Sequence, residues 1–136
     1  MVEPLRVCPS DVLEERGLGV QWELRYCGME ERAFALRIDG QVYAYLNRCA
    51  HVPTELDWQP NEFLDTEKRY ILCAVHGAVY SPKTGACVMG RCGRAGLIPV
   101  RVAEFDGFVH WYPSDTLQPP LEPAAPAPGE PTAPAP

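Results

Sequence analysis

Four side chains stand where metal chemistry would put them. Cys49 and His51 lie in Cys49-Ala50-His51, and after twenty-one further residues Cys73 and His76 follow in Cys73-Ala74-Val75-His76. Each short motif offers one thiolate and one imidazole. One residue separates the first pair and two the second, so neither has the i, i+4 spacing of ligands on a helical face. Both pairs belong on tight loop tips. Two such tips at the ends of neighbouring hairpins can face each other across a small inorganic core. Cys₂His₂ also suits a single tetrahedral zinc, but zinc sites usually group cysteine with cysteine and histidine with histidine, whereas here each motif mixes them. A two-iron, two-sulfide cluster with chemically different halves takes the mixed pairs more naturally, Cys49 and Cys73 on one iron, His51 and His76 on the other.

Gly77-Ala78-Val79-Tyr80 runs directly on from His76, and Ser81-Pro82-Lys83-Thr84-Gly85 follows. With these residues the two motifs resemble the cluster-binding loops of Rieske-type iron-sulfur proteins, a resemblance that covers about residues 5 to 112. It implies one 2Fe-2S cluster, ligands Cys49, His51, Cys73 and His76, and one-electron transfer. In high-potential relatives a serine follows the His-Gly pair and a tyrosine stands two residues later, both donating hydrogen bonds to cluster sulfur. Ala78 and Tyr80 occupy those places, so one donor is lost and an intermediate to low potential is implied. The disulfide that joins the two loops in those relatives would fall at Thr54 and Val75, and is absent. Gly90-Arg91-Cys92-Gly93 with Gly96 matches the third loop that covers the cluster, with Arg91 where relatives often carry proline. Cys87 and Cys92 could form a small local disulfide, remain thiols beneath that loop or respond to redox conditions, and the expectation is free or locally packed thiols; Cys8 and Cys27 are expected to be small core fillers.

The elements that must position these residues read as strands. Residues 5–8 form a short one, and Ser10 to Arg16 reads as one or two helical turns capped by Asp11 and ended at Gly17 or Gly19. Val20 to Tyr26 alternates with period two. Ala33 to Ile38 and Gln41 to Leu46 are joined at Asp39-Gly40, a type I′ hairpin signal, and the second delivers the chain through Asn47 and Arg48 into Cys49. Trp58 and Phe63 sit in an insert that should pack down. Tyr70 to Leu72 leads into Cys73, Ala78 to Tyr80 leads away from His76, and residues 86–88 return after a turn. Leu97 to Phe105 and Phe108 to Tyr112 close a hairpin about Asp106-Gly107, with His110 a structural histidine. The fold class is all-β: an antiparallel β sandwich or barrel base with a small cluster-binding subdomain of about residues 47 to 96. Pro113 ends the domain, giving 1–113 as the Rieske-like domain and 114–136 as a tail. Residues 119–136 hold eight prolines and five alanines, a composition that favours polyproline II over a core.

Composition narrows the function. The chain's 136 residues and net charge of −6 argue against nucleic acid, which needs a basic surface. No run of about eighteen apolar residues marks a membrane span, and no signal peptide is visible. A reducing, cytoplasmic setting is therefore expected for the six cysteines. Between Ser81 and Ala103 lie Lys83, Arg91, Arg94 and Arg101 with no acid, while 55–67 holds five acids and no base, a polarity close to the loops. Rieske oxygenases need a second domain with mononuclear iron, and only His110 remains once His51 and His76 are assigned. The expectation is a soluble ferredoxin that passes electrons from a reductase to an oxygenase or another redox enzyme. A redox-sensing or interaction subunit is the alternative, which would change partner affinity with cluster state, and a zinc-stabilised interaction domain would be colourless.

Overall fold

The computed structural model describes residues 3–49, 55–57, 59–73, 77–90 and 96–120. His51, Trp58, His76, Arg91, Cys92, Arg94 and the chain from 121 to 136 lie outside them. The described strands are β1 (Leu5–Pro9), β2 (Val20–Tyr26), β3 (Met29–Ile38), β4 (Gln41–Leu46), β5 (Ile71–Leu72), β6 (Val79–Tyr80), β7 (Cys87–Met89), β8 (Val102–Phe105), β9 (Phe108–Trp111) and β10 (Leu117–Gln118). They pair antiparallel in three sheets, ordered β1-β9-β8, β10-β2-β3-β4 and β5-β6-β7. The all-β expectation holds.

Three hairpins share one turn chemistry. A two-residue type I′ turn needs positive φ at both central positions, and the values are 52° and 82° at Asp39-Gly40, and 55° and 78° at Asp106-Gly107. The third, Cys27-Gly28 at 51° and 82°, was not anticipated. It joins β2 to a β3 that begins at Met29 rather than Ala33. Glu30, Glu31 and Arg32 hide that extension because the strand there projects beyond the core. Cys27 is consequently exposed, not a core filler.

Helical turns are reduced to a single 3-10 turn, Ser10–Val12, with no side-chain cap. Asp11 does not cap it, because the turn begins at Ser10 with Pro9 at its N-cap, which leaves Asp11 inside the turn. The Arg37 guanidinium on β3 donates to the carbonyls of Ser10 (3.0 Å) and Leu13 (2.8 Å), and the Arg16 amide donates to the Arg37 carbonyl (2.8 Å). Residues 97–101 likewise run beside β4 without joining β8, with Val100 donating to Ala44 and Leu46 to Ile98. Pro99, which has no amide hydrogen, makes only an isolated bridge to Tyr45 there. Pro113 does not end the fold either. The chain turns back through 114–116, and β10 pairs with Tyr26 and Arg25 of β2, burying Leu117.

The four-stranded sheet separates two apolar clusters. Ala33, Ala35, Ala44, Leu46 and Leu24 face Val100, Val109 and Trp111 of the base. Phe34, Leu36, Ile38 and Tyr45 face the loop-bearing layer, against Leu56, Phe63, Leu64, Ile71, Ala78 and Tyr80. Successive side chains of a strand point to opposite faces, so β3 contributes to both. Phe34 stacks on Phe63 at 3.9 Å between centroids and 7° between planes. Phe63 thus packs as expected, and its carbonyl accepts the Leu72 amide at the entry to the second loop (2.9 Å).

Candidate metal centre

Strand β4 delivers the first loop. The Asn47 amide donates to the Arg32 carbonyl (2.7 Å), and Cys49 follows two residues later with only 2% of its surface exposed. The chain returns at Leu56, whose amide donates to Asn47 Oδ1 (2.7 Å). The second loop caps the β5–β6 hairpin. Beyond the pairs Ile71 with Tyr80 and Leu72 with Val79, the Cys73 amide donates to Ala78 O and the Gly77 amide to Cys73 O, both at 2.8 Å. Gly77 takes φ 69°, which closes that tip. Cys73 is fully buried.

Both cysteines belong to the apolar cluster that contains Tyr80. Tyr80 Oη lies 3.4 Å from Cys49 Sγ, so a residue of the second loop's hairpin reaches the ligand candidate of the first. In such surroundings a thiolate is costly unless a cation and hydrogen bonds balance it. Two cysteines from facing loops, buried together with a hydroxyl directed at one sulfur, fit thiolate ligands to iron. Ala78, in the place of the serine, is also fully buried and carries no hydroxyl.

The start of the third loop presses on the second. Gly90, at φ 100°, leaves so little room that a Cβ there would lie 2.7 Å from Ala78 Cα and 3.2 Å from Gly77 O. Cys87, on the adjoining β7, is disulfide-bonded, which corrects the expectation of a packed thiol. It lies on a short edge strand, partly buried against the apolar cluster that holds Cys49 and Cys73.

Tyr45 ties this layer to the base. From β4 its hydroxyl donates to the Pro82 carbonyl (2.8 Å), and burial pushes its pKa up to about 12. Its ring fills the space over Gly85, where a Cβ would approach Tyr45 Cε1 to 2.7 Å. Neither Tyr45 nor Asn47 was singled out from sequence. The available signal for Asn47 was a polar residue at the end of an apolar strand, two places before a ligand. Of the expected basic residues, Lys83 pairs with Asp39 (2.6 Å) and Arg101 lies over the Tyr112 ring (4.7 Å). His110 is buried and stacked on Phe105 at 3.9 Å, distant in role from the loops.

Residues 3–106 match the sequence profile of the Rieske [2Fe-2S] domain. The chain belongs to the Rieske family. Its domain therefore carries a 2Fe-2S cluster, which displaces the zinc reading. Among solved structures, this Rieske chain is similar to the ferredoxin of carbazole 1,9a-dioxygenase from Nocardioides aromaticivorans IC177, with 23% identity, TM-score 0.64, and coverage of 82% of this chain and 98% of that one. A chain in the complex of reduced oxygenase and oxidized ferredoxin in carbazole 1,9a-dioxygenase matches at 20% identity and TM-score 0.62, covering 88% and 97%. The quaternary ammonium Rieske monooxygenase CntA in complex with substrate L-carnitine matches at 19% identity and TM-score 0.63, covering 80% of this chain and 31% of that one. At these identities the likeness is one of fold. No curated protein sequence matches the chain. Among the described residues, no helix is long and apolar enough to cross a membrane.

Proposed function

We propose that this Rieske protein is a one-electron carrier, a ferredoxin component that takes electrons from a reductase and passes them to an oxygenase or another redox enzyme. The observation that carries the reading is the pair of buried cysteines on facing loops, Cys49 and Cys73, with Tyr80 Oη 3.4 Å from Cys49 Sγ, in a fold similar to that of a dioxygenase ferredoxin. Cys49 and Cys73 are assigned to one iron, His51 and His76 to the other. When bound, the cluster takes up and gives back a single electron.

The chain's own residues set how readily that happens. Tyr80 holds its hydroxyl against Cys49 sulfur and favours the more negative, reduced state. Ala78 adds no second donor, which supports a potential in the intermediate to low part of the Rieske range. Phe34, Phe63, Leu56 and Ile71 keep water from the thiolate side. Exposed Val88 and Met89, with Met89 paired to Val79 of the second hairpin, supply an apolar rim that a partner can cover. We place the protein in the cytoplasm, where a disulfide at Cys87 would form only on exposure to oxidant.

The test is anaerobic purification, visible absorption, and electron paramagnetic resonance after dithionite, followed by stopped-flow mixing with a flavoprotein reductase and a Rieske oxygenase. A red-brown protein that is reduced and reoxidised within the turnover time of its partners, and that loses colour in His51→Ala or Cys73→Ala, meets the proposal. A coloured protein that exchanges no electrons with such partners defeats the carrier role.

A further inference from the structure

The neck of the first loop is closed by a ring of polar side chains that the assignment of ligands does not use. Asn47 is only 2% exposed, yet its amide is satisfied on every side described. Nδ2 donates to Gln21 Oε1 (3.0 Å) and to Asp57 Oδ1 (3.1 Å), while Oδ1 accepts the Leu56 amide (2.7 Å). Gln21 Nε2 then donates to Asp57 Oδ2 (3.2 Å) and Asn61 Oδ1 (2.8 Å), and the Asn61 amide returns to Asp57 Oδ2 (3.1 Å). Asn47 stands before the loop, Leu56 and Asp57 after it, and Gln21 on β2 fixes both to the sheet. The two ends of the loop are thus joined through the Asn47, Asp57 and Gln21 side chains.

The ring has a direction. Asp57 accepts only, so the group facing it must donate, and an amide at position 47 meets that need while accepting from Leu56 with its other atom. A carboxylate of the same shape at 47 would face Asp57 with like charge and return no hydrogen to it or to Gln21.

We propose that Asn47 is a positioning residue for the cluster: it holds the neck of the first loop so that Cys49 sulfur stays against the Tyr80 hydroxyl. This inference rests on the Rieske reading and goes beyond it, because Asn47 is no ligand. Its effect on the metal runs through Cys49, two residues away.

The experiment compares the full-length cluster-loaded wild type with N47D, D57N and N47D/D57N. Three quantities are read at a temperature where circular dichroism reports folded protein: the rate of bleaching in excess chelator, the reduced paramagnetic resonance spectrum, and the midpoint potential. N47D should bleach about tenfold faster or more, the range expected for groups that orient ligands, with a displaced spectrum and potential. The double variant again sets a donor opposite an acceptor between 47 and 57, leaving only Gln21 Oε1 without its former donor, and should bleach at least about twofold more slowly than N47D, the coupling expected of residues in contact. Wild-type bleaching, spectrum and potential in N47D would overturn the proposal, as would a double variant no better than N47D. Should N47D not fold, the double variant decides: recovery of a loaded, folded protein supports the pairing, and failure to recover defeats it. A wild type without a Rieske spectrum would instead overturn the parent reading, so the two failures are distinguishable.

Discussion

Tyr80 Oη sits 3.4 Å from Cys49 Sγ, and this contact joins the hairpin of one loop to the ligand of the other. A sulfur bound to iron has no hydrogen, so the hydroxyl is the donor. Tyr80→Phe should keep the cluster and lower the midpoint potential, since the reduced state loses more from the missing bond. A difference of about 1 kcal/mol corresponds to a drop of about 40 mV for one electron. Protein-film voltammetry on both proteins measures it, and an unchanged or raised potential would remove Tyr80 from the tuning of the site.

The packing of Gly90 on Ala78 gives a second expectation. At φ 100°, and with Ala78 Cα only 2.7 Å from the added Cβ, Gly90→Ala must shift the backbone, at a cost of about 1–3 kcal/mol for the strained conformation. Chelator should then bleach the protein faster. Gly28→Ala, at φ 82° but with open space around it, is the control: it should lower the melting temperature and leave the bleaching rate alone.

Arg37 and Glu104 make stability depend on acid. The guanidinium meets Glu104 through two bonds of 3.0 and 2.6 Å and holds the carboxyl below its ordinary 4.5. A depressed carboxyl stabilises the fold above the unfolded value, and that contribution fades as pH falls from 4.5 through the folded value. The pair is partly exposed, so about 1 kcal/mol is expected. Urea titrations from pH 7 to 3 should show a flatter acid slope for Glu104→Gln than for the wild type.

Tyr45 does the same at the alkaline end, with opposite sense. Its pKa is raised from 10.0 to about 12, so the contribution is complete below pH 10 and is lost as pH rises toward 12. Tyr45→Phe leaves the buried Pro82 carbonyl without this donor, costing about 1–3 kcal/mol at neutral pH. It should also remove that part of the alkaline loss. Equal alkaline slopes in the two proteins would argue against burial as the cause.

Where periodicity and turn chemistry acted locally, the sequence was a good guide. β2 falls where alternation placed it and β4 where the Asp39-Gly40 hairpin did, and Asp39-Gly40 and Asp106-Gly107 turn as expected. The ligand motifs were equally plain, since mixed Cys-His pairs have few other uses; Cys49 and Cys73 lie together in one buried cluster, while His51 and His76 fall outside the described residues. The less legible features depend on long-range partners. The missing helix is explained by Arg37, more than twenty residues away, whose guanidinium satisfies the carbonyls of Ser10 and Leu13. β10 pairs across some ninety positions with β2, and no local pattern in Leu117-Gln118 announces it. Asn47 and Asp57 are ordinary polar residues until Gln21 is brought beside them.

β3 gives evolution two nearly independent dials on one strand. Phe34, Leu36 and Ile38 belong to the layer that wraps the thiolates, whereas Ala33 and Ala35 belong to the base. Drift at the odd positions is exposed to selection on abundance, through melting temperature. Drift at the even positions is exposed to selection on electron flow, through colour and potential. A library scored separately for both traits should sort along this strand with a period of two, and lineages could retune the redox centre while inheriting the scaffold unchanged.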